Sequence, residues 1–289
     1  MTLFSQKVLL RAALFGVALF FGWNAGATKV ETYQDLIEKA YNLSLQKDRL
    51  QAINLLVSAT QKESKKGPPP KELLVALEEV STVFYSDKAQ QTFELALSLR
   101  SSDPALAVSK LNEAARLEPD NLQIMLEQIR LQISSGDCDG ALKVVQKHRE
   151  RNPYSEDLRL VLAQSLVCHG KFQEFQALRG PGDLKKNGRE LYWQRLDLEH
   201  AFRTGAFAKG RDLAVQFSKN EPTFPEFFYW TWKLNQSLKV VDERSGTKYL
   251  TMCKSLSSRL MRQFQAEPRL CRNVAEVEAE TKKNVTPSE

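Results

Sequence analysis

The stretch SSGDCDGAL at residues 134–142 contains a glycine that we expect to turn the chain between two helices. The stretch VCHGKFQEF at residues 167–175 places a glycine at the equivalent point 34 residues later, and RTGAFAKG at residues 203–210 places one a further 35 residues on. The three glycines are Gly136, Gly170 and Gly205. A turn that recurs at this spacing predicts a chain built from repeated pairs of helices.

A proline after the second helix of each pair gives a second mark with the same period. Pro119 and Pro153 are 34 residues apart, and the distance from Gly136 to Pro153 equals that from Gly205 to Pro222, at 17 residues. Proline lacks a backbone N–H and clashes inside a helix, so it ends the second helix. Two landmarks that recur together near a period of 34 resemble the tetratricopeptide repeat.

The resemblance implies an all-α solenoid of helical hairpins, in which a small residue in each helix lets two backbones approach. The alanines that fit this role are Ala40, Ala52, Ala107, Ala114, Ala141 and Ala163. The sequence departs from the family pattern at Ile129 and Phe175, which stand where a small residue is usual, and near Asp103 and Pro104, where the turn has no glycine. Clear repeats cover roughly residues 89–222, and we expect the period to fail beyond Pro222.

Nearly every segment after the first 27 residues has apolar residues at helical spacing, which predicts an all-α protein with capping helices at its C-terminal end. Three consecutive prolines in KESKKGPPPK mark an exposed connector. The expected organisation is a signal peptide at 1–27, an N-terminal helical hairpin at 28–66, a Pro-rich connector at 67–71, tetratricopeptide-like repeats at 72–222, C-terminal capping helices at 223–272 and a frayed polar tail at 273–289.

The first 27 residues are typical of a secretory signal peptide. Lys7 and Arg11 precede the apolar run AALFGVALFFGW at residues 12–23, and small residues follow up to Ala27. We therefore expect cleavage after Ala27 and export to the periplasm. The alternative is an uncleaved anchor that tethers the protein to the membrane, although the apolar run is shorter than the roughly 20 residues that span a bilayer.

Four cysteines in an exported protein favour disulfide bonds. Cys138 lies in the turn of one repeat and Cys168 at the end of the first helix of the next, and adjacent repeats stack these regions side by side. The pair is therefore expected to form a bridge, and Cys253 would then pair with Cys271. The alternative is that the cysteines are free buried thiols.

The composition and motifs favour a protein without catalytic activity, cofactor or nucleic-acid partner. The net charge of +6 comes from 41 basic and 35 acidic residues scattered along the chain, without a basic run that contains aromatic residues. The sequence has no serine-hydrolase elbow, phosphate-binding loop, dinucleotide fingerprint or zinc-protease motif, and its three histidines are isolated. The alternative in the enzyme class is a peptidoglycan-acting α-superhelical enzyme, whose characteristic motifs are missing here.

Two sets of residues are candidates for binding. The stretch FPEFFYWTW at residues 224–232 is either the core of a terminal cap or an aromatic platform for a peptide or glycan. Its candidate residues are Phe227, Tyr229, Trp230 and Trp232.

The resemblance to tetratricopeptide proteins implies a concave groove that binds a protein or peptide partner in the periplasm or envelope. A membrane-proximal position and the oligomeric state stay open. Helical spacing points to a set of polar and aromatic residues on the first helix of each hairpin. They are Gln123, Arg130, Asp157, Gln164, Tyr192, Arg195 and Glu199.

Overall fold

The computed structural model describes residues 32–100, 102–180, 189–256, 267 and 269–285. This part of the chain forms fourteen helices and contains no strand, which confirms the all-α class. The predicted signal peptide at residues 1–27 lies outside the described residues.

The helices follow one another with short connections, and each is numbered here in chain order. They are α1 (Tyr33–Leu45), α2 (Arg49–Ser64), α3 (Lys71–Thr82), α4 (Asp87–Leu99), α5 (Pro104–Leu117), α6 (Leu122–Ser135), α7 (Cys138–Arg151), α8 (Glu156–His169), α9 (Phe172–Leu178), α10 (Glu190–Arg203), α11 (Phe207–Asn220), α12 (Pro225–Ser237), α13 (Glu243–Ser255) and α14 (Val274–Val285).

Helices α6, α8, α10 and α12 form a central row. Each packs against the second helix of its own pair, namely α7, α9, α11 and α13 respectively, and also against the next member of the row. Because neighbours lie on several sides, the row is buried almost all round: in α8 every residue from Leu160 to Val167 is buried. The second helices bury one side, and α7 buries only Ala141, Leu142 and Val145.

Each predicted glycine turn ends a helix of this row in the left-handed conformation. Gly136, Gly170 and Gly205 have φ angles of 89°, 86° and 76°. In each turn the next residue donates its N–H to the carbonyl five residues back, at 2.9 Å, which satisfies a carbonyl that the helix leaves unpaired. These bonds join Asp137 to Gln132, Lys171 to Leu166 and Ala206 to Ala201.

The same turn occurs where the sequence has no glycine. Lys239 has a φ of 58°, and Val240 donates to the carbonyl of Asn235 at 2.9 Å. Because Lys239 lies 34 residues after Gly205, α12 and α13 continue the spacing of the earlier pairs. The expectation that the period fails beyond Pro222 is therefore wrong, because the spacing of the turns continues to Lys239. What is missing there is the glycine that marks the earlier turns in the sequence.

The alanines expected at close helix contacts are all buried. Their exposed fractions are 0% for Ala40, Ala52, Ala114, Ala141 and Ala163 and 1% for Ala107. Ile129 and Phe175, the two departures from the family pattern, are buried as well, at 0% and 2%. These positions belong to the core whether they carry a small or a large side chain.

The first three helices share one core and join the rest of the protein through a buried ion pair. Arg49 of α2 contacts Glu118 at 2.6 Å and donates to the carbonyls of Ser81 and Val83. Glu118 also accepts from the backbone N–H of Tyr85 at 2.6 Å. Further contacts join α3 to α6 and α2 to α7.

The C-terminal segment, expected to be a frayed polar tail at 273–289, instead contains helix α14. Val277 of this helix is fully buried and belongs to the same core cluster as Trp232 and Tyr249. Val274 packs against the same cluster and Glu278 pairs with Lys254 of α13 at 2.7 Å, so apolar and charged contacts together hold this polar helix against α13.

Both predicted disulfide bonds are present. Cys138 and Cys168 have their Cα atoms 5.5 Å apart, and Cys253 and Cys271 have theirs 5.6 Å apart. Two disulfides fit an oxidising, exported location. Within the described ranges, no helix combines the length and apolar character needed to cross a bilayer.

The left-handed turns predict opposite effects for two substitutions. A Cβ added at Gly136 would meet nothing within 4 Å, so Gly136→Ala should lose about 1 kcal/mol of unfolding free energy through backbone strain alone. Lys239→Gly should gain a similar amount, because it removes that strain from an exposed position. Urea unfolding of both variants measures this, and a stabilising G136A or a destabilising K239G would contradict the shared turn.

Candidate functional site

A polar face runs along one side of the central row. The residues that lie six, ten and thirteen positions before each turn residue share a helix side, because these offsets differ by four and three. For the turns at Gly136, Gly170, Gly205 and Lys239 they are Arg130, Leu126 and Gln123 in α6, Gln164, Leu160 and Asp157 in α8, Glu199, Arg195 and Tyr192 in α10, and Lys233, Tyr229 and Glu226 in α12. All seven predicted groove residues fall on this polar face.

The central row and the second helices differ in the types of residue that they bury. The central row buries charged and amide side chains, whereas α7, α9 and α11 bury only apolar side chains and one glycine. The buried polar residues of the row include Glu127, Gln164, Gln194, Arg195, Glu199, Glu226 and Asn235. Buried polar groups need partners, so buried side-chain interactions concentrate in the central row.

Four of the predicted groove residues are not accessible. Gln164, Tyr192, Arg195 and Glu199 are between 1% and 6% exposed, whereas Arg130 and Asp157 are half-buried and Gln123 is exposed. The prediction that all seven line an open groove is therefore wrong for these four.

The polar face of α10 is covered by a short non-helical segment of the same chain. We call Glu267 together with residues 269–273 the strap. Arg269 donates from Nη1 to Oε1 of Glu199 at 2.9 Å, and Glu267 forms an ion pair with Nε of Arg195 at 3.2 Å. Both strap residues lie far from α10 in the sequence. The sequence of α10 therefore did not indicate that its charged residues would be covered.

The strap continues across α12 and α13. The backbone N–H of Cys271 donates to Oε1 of Glu226 at 2.9 Å, and that of Asn273 donates to the Tyr249 hydroxyl at 3.1 Å. Leu270 is 6% exposed and packs into the C-terminal core cluster. Arg272 reaches the carbonyl of Ser134 at the end of α6. The strap therefore contacts three helices of the central row.

Helix α14 extends the cover to the remaining positions of the polar face in α12. Glu276 accepts a hydrogen bond from the Tyr229 hydroxyl at 3.1 Å and pairs with Lys233. Tyr229 was predicted as part of the aromatic cluster, whereas Glu226 and Lys233 were not predicted as site residues. Glu226 and Lys233 lie thirteen and six positions before the turn at Lys239. That turn could not be predicted from the sequence, because lysine is not a typical turn residue.

The charged groups beneath the strap strongly influence one another's pKa values. Burial alone would raise the pKa of Glu199, but the guanidinium groups of Arg195, Arg269 and Arg203 outweigh it and lower this pKa well below its usual range. Burial would likewise lower the pKa of Arg195, and the carboxylates of Glu267 and Glu199 raise it instead. Both groups stay charged at neutral pH.

Glu226 differs from the other buried carboxylates. Burial, followed by the nearby negative charge of Glu267, raises its pKa to about 7, against the opposing influence of Arg195 and the Cys271 N–H. Its Oε2 atom has no hydrogen-bond partner among the described residues. Glu226 therefore serves mainly as an acceptor for a backbone N–H.

On α6 and α8 the polar face is only partly covered, and the residues that cover it come from other parts of the chain. Glu127, 1% exposed, pairs with Arg100 at 2.9 Å and with Arg130 at 3.5 Å. Asp157 pairs with Arg189 at 2.7 Å. Among the predicted residues on α6 and α8, Gln123 stays exposed.

The aromatic stretch at residues 224–232 forms core. Phe227, Tyr229, Trp230 and Trp232 are between 0% and 6% exposed, so the hypothesis of an aromatic platform is wrong. Their rings contact one another and neighbouring aromatics; those of Tyr229 and Trp230, for example, have centroids 5.3 Å apart. In the part of the chain that the structure covers, no group of three or more His, Cys, Asp or Glu residues is placed to hold a metal ion.

Glu226 predicts a specific pH dependence. A carboxyl whose pKa is raised from 4.5 to about 7 by folding stabilises the protein fully below pH 4.5, and this contribution is lost as the pH rises through 7. Glu226→Gln keeps an acceptor for the Cys271 N–H without the charge. It should match the wild type at pH 4 and exceed it by about 2–3 kcal/mol at pH 8.

Urea unfolding of the wild type and E226Q at pH 4, 6 and 8 measures this difference. Glu150→Gln, at an exposed position of α7, is the matched control and should follow the wild type at each pH. Parallel curves for E226Q and the wild type would show that Glu226 does not titrate between these values.

No protein-family model, curated protein or solved structure matches the chain. The resemblance to the tetratricopeptide repeat therefore rests on the residues, spacings and turns described above.

Proposed function

We propose that this protein is a non-catalytic interaction scaffold that binds a peptide segment or partner protein on the polar face of its central row. In this proposal the helix pairs form a tetratricopeptide-like solenoid, and the polar face is its groove. The observation that carries the proposal is that this face holds a non-helical peptide segment, the strap, through ion pairs and backbone hydrogen bonds.

Two kinds of contact on this face suit peptide recognition. Glu226 accepts a backbone N–H, a group that almost every residue of a partner offers. Arg195 and Glu199 are buried beneath the strap and contact its charged side chains, so a partner that replaced the strap would be selected by its own charges. The combination gives affinity from the backbone and specificity from the charges.

The repeated spacing supports the solenoid part of the proposal. Left-handed turns at Gly136, Gly170, Gly205 and Lys239 follow one another at intervals of 34, 35 and 34 residues, and each member of the central row contacts the next. Equivalent residues of successive pairs therefore recur along one face, as a groove that binds an elongated partner requires.

We place the scaffold in the periplasm or envelope, because the sequence begins with a predicted signal peptide and the described chain has two disulfides. Retention of the leader would make it a membrane-tethered subunit with the same binding face. The alternative is a peptidoglycan-acting enzyme, which would need an acid placed to reach a sugar, whereas Glu199 and Glu226 are buried beneath the strap.

A photo-crosslinking amino acid at position 123 tests this function in the native cell. Gln123 is the exposed member of the polar face, and Lys143 is an exposed position of α7 in the same helix pair. We expect one partner to crosslink from position 123 and not from position 143. The purified partner should then bind the protein less tightly at high salt, because charged groups contribute to the contact.

Two results would count against a groove scaffold. One is the same set of adducts from both positions, which would indicate contact by chance. The other is an adduct from position 143 alone, which would move the binding surface to the second helices.

A further inference from the structure

We propose that the strap is an internal substitute for the partner segment, held in place by the Cys253–Cys271 disulfide. The site beneath it would take a peptide in which an acidic residue is followed two positions later by an arginine, as Glu267 is followed by Arg269. This inference rests on the proposed function and specifies the ligand of the same face.

The strap and α10 match each other charge for charge. Glu267 contacts Arg195 and Arg269 contacts Glu199, so that two residues of opposite charge meet two residues of opposite charge. Arg195 and Glu199 are four positions apart on α10, which places them on the same side of the helix. A partner segment would therefore need the same two charges in the same order to make both contacts.

The charges of α10 have partners even without the strap. Arg195 pairs with Glu199 within the helix, and Glu199 also contacts Arg203 at 2.9 Å. Removing the strap would therefore not leave an isolated buried charge, which is the situation that strongly destabilises a fold. The site can exist in an open form in which water or a partner replaces Glu267 and Arg269.

The disulfide is well placed to control this exchange. It joins the strap directly to α13 at a sequence separation of 18 residues, and both of its cysteines are half-buried. The other disulfide joins α7 to α8 and includes no residue of the strap. Because the bond is covalent, it keeps Cys271, and with it the strap, beside α13 for as long as it is intact.

The experiment compares two disulfide-free variants of the full-length protein. Cys253→Ser/Cys271→Ser releases the strap, and Cys138→Ser/Cys168→Ser is the matched control that loses a bond of the same kind. The probe is a fluorescein-labelled peptide with the sequence of residues 265–274, carrying serine at position 271. Fluorescence anisotropy at low and high salt measures binding, and circular dichroism checks the helix content of each protein.

We expect C253S/C271S to bind the probe at least tenfold more tightly than the wild type and C138S/C168S. A second probe, in which Glu267 and Arg269 are exchanged, should lose this binding because each charge would then face its own sign. Equal binding of both probes, or equal binding by the two disulfide variants, would overturn the proposal.

A further variant keeps the test decisive if C253S/C271S loses helix content. Arg269→Ala leaves both disulfides intact and removes the strap's contact with Glu199. Hydrogen exchange of the Cys271 and Asn273 amides should become at least tenfold faster in R269A, and binding of the unaltered probe should increase. Wild-type exchange and probe binding in a folded R269A would overturn the proposal.

The outcomes also separate this inference from the proposed function. A partner that crosslinks at position 123, together with no probe binding by the released variants, would leave the scaffold standing and make the strap purely structural. Probe binding by C253S/C271S without any crosslinked partner would support a peptide site beneath the strap and count against the scaffold function. A doubling of the molecular mass of C253S/C271S, reversed by the probe, would show that the strap binds a second copy and would overturn the assignment to a partner protein.

Discussion

The carboxylate of Glu199 is the constraint on which the C-terminal half of this structure depends. It is 2% exposed and contacts the guanidinium groups of Arg195, Arg203 and Arg269. A carboxylate removed from water in this way is strongly unfavourable unless cations replace the lost hydration, and breaking such a buried arrangement commonly costs about 3–5 kcal/mol. Two of the arginines come from α10 itself, whereas the third comes from the strap, so the same group fixes a helix and recruits a distant segment.

The polar face is a consequence of how helix pairs pack. The second helices can keep their polar residues in water, because only one side of each is buried, as α7 shows. The central row is enclosed on nearly all sides, so any polar residue that it carries must find a partner inside the protein. Pairs such as Asp157 with Arg189 and Glu226 with the Cys271 N–H meet this requirement. The face that we propose for recognition is therefore the face whose buried polar residues need internal partners.

The structure could be predicted from the sequence at positions where a residue type has one preferred structural role. Glycine at position 136 adopts a left-handed turn without strain, and cysteines in adjacent pairs are close enough to bond, so turns and disulfide pairing could be predicted. The turn at Lys239 could not, because lysine tolerates that conformation at a modest cost and leaves no mark. Nor could the burial of Arg195 and Glu199, since the strap that covers them lies about 70 residues further along the chain and has no periodic pattern.

The two disulfides then have different physical consequences although each joins neighbouring elements. The bond between Cys138 and Cys168 fixes α7 against α8, two helices that are already packed together. The bond between Cys253 and Cys271 holds a non-helical segment, whose position otherwise depends on a few charged and polar contacts and on Leu270. Charged contacts of this kind can exchange with other charged groups, whereas a covalent bond cannot, so the disulfide adds a restraint that the contacts of Arg269 and Leu270 do not provide. The strap is therefore held by one covalent bond together with several weaker contacts, and the proposed exchange with a partner segment requires both kinds to be replaced.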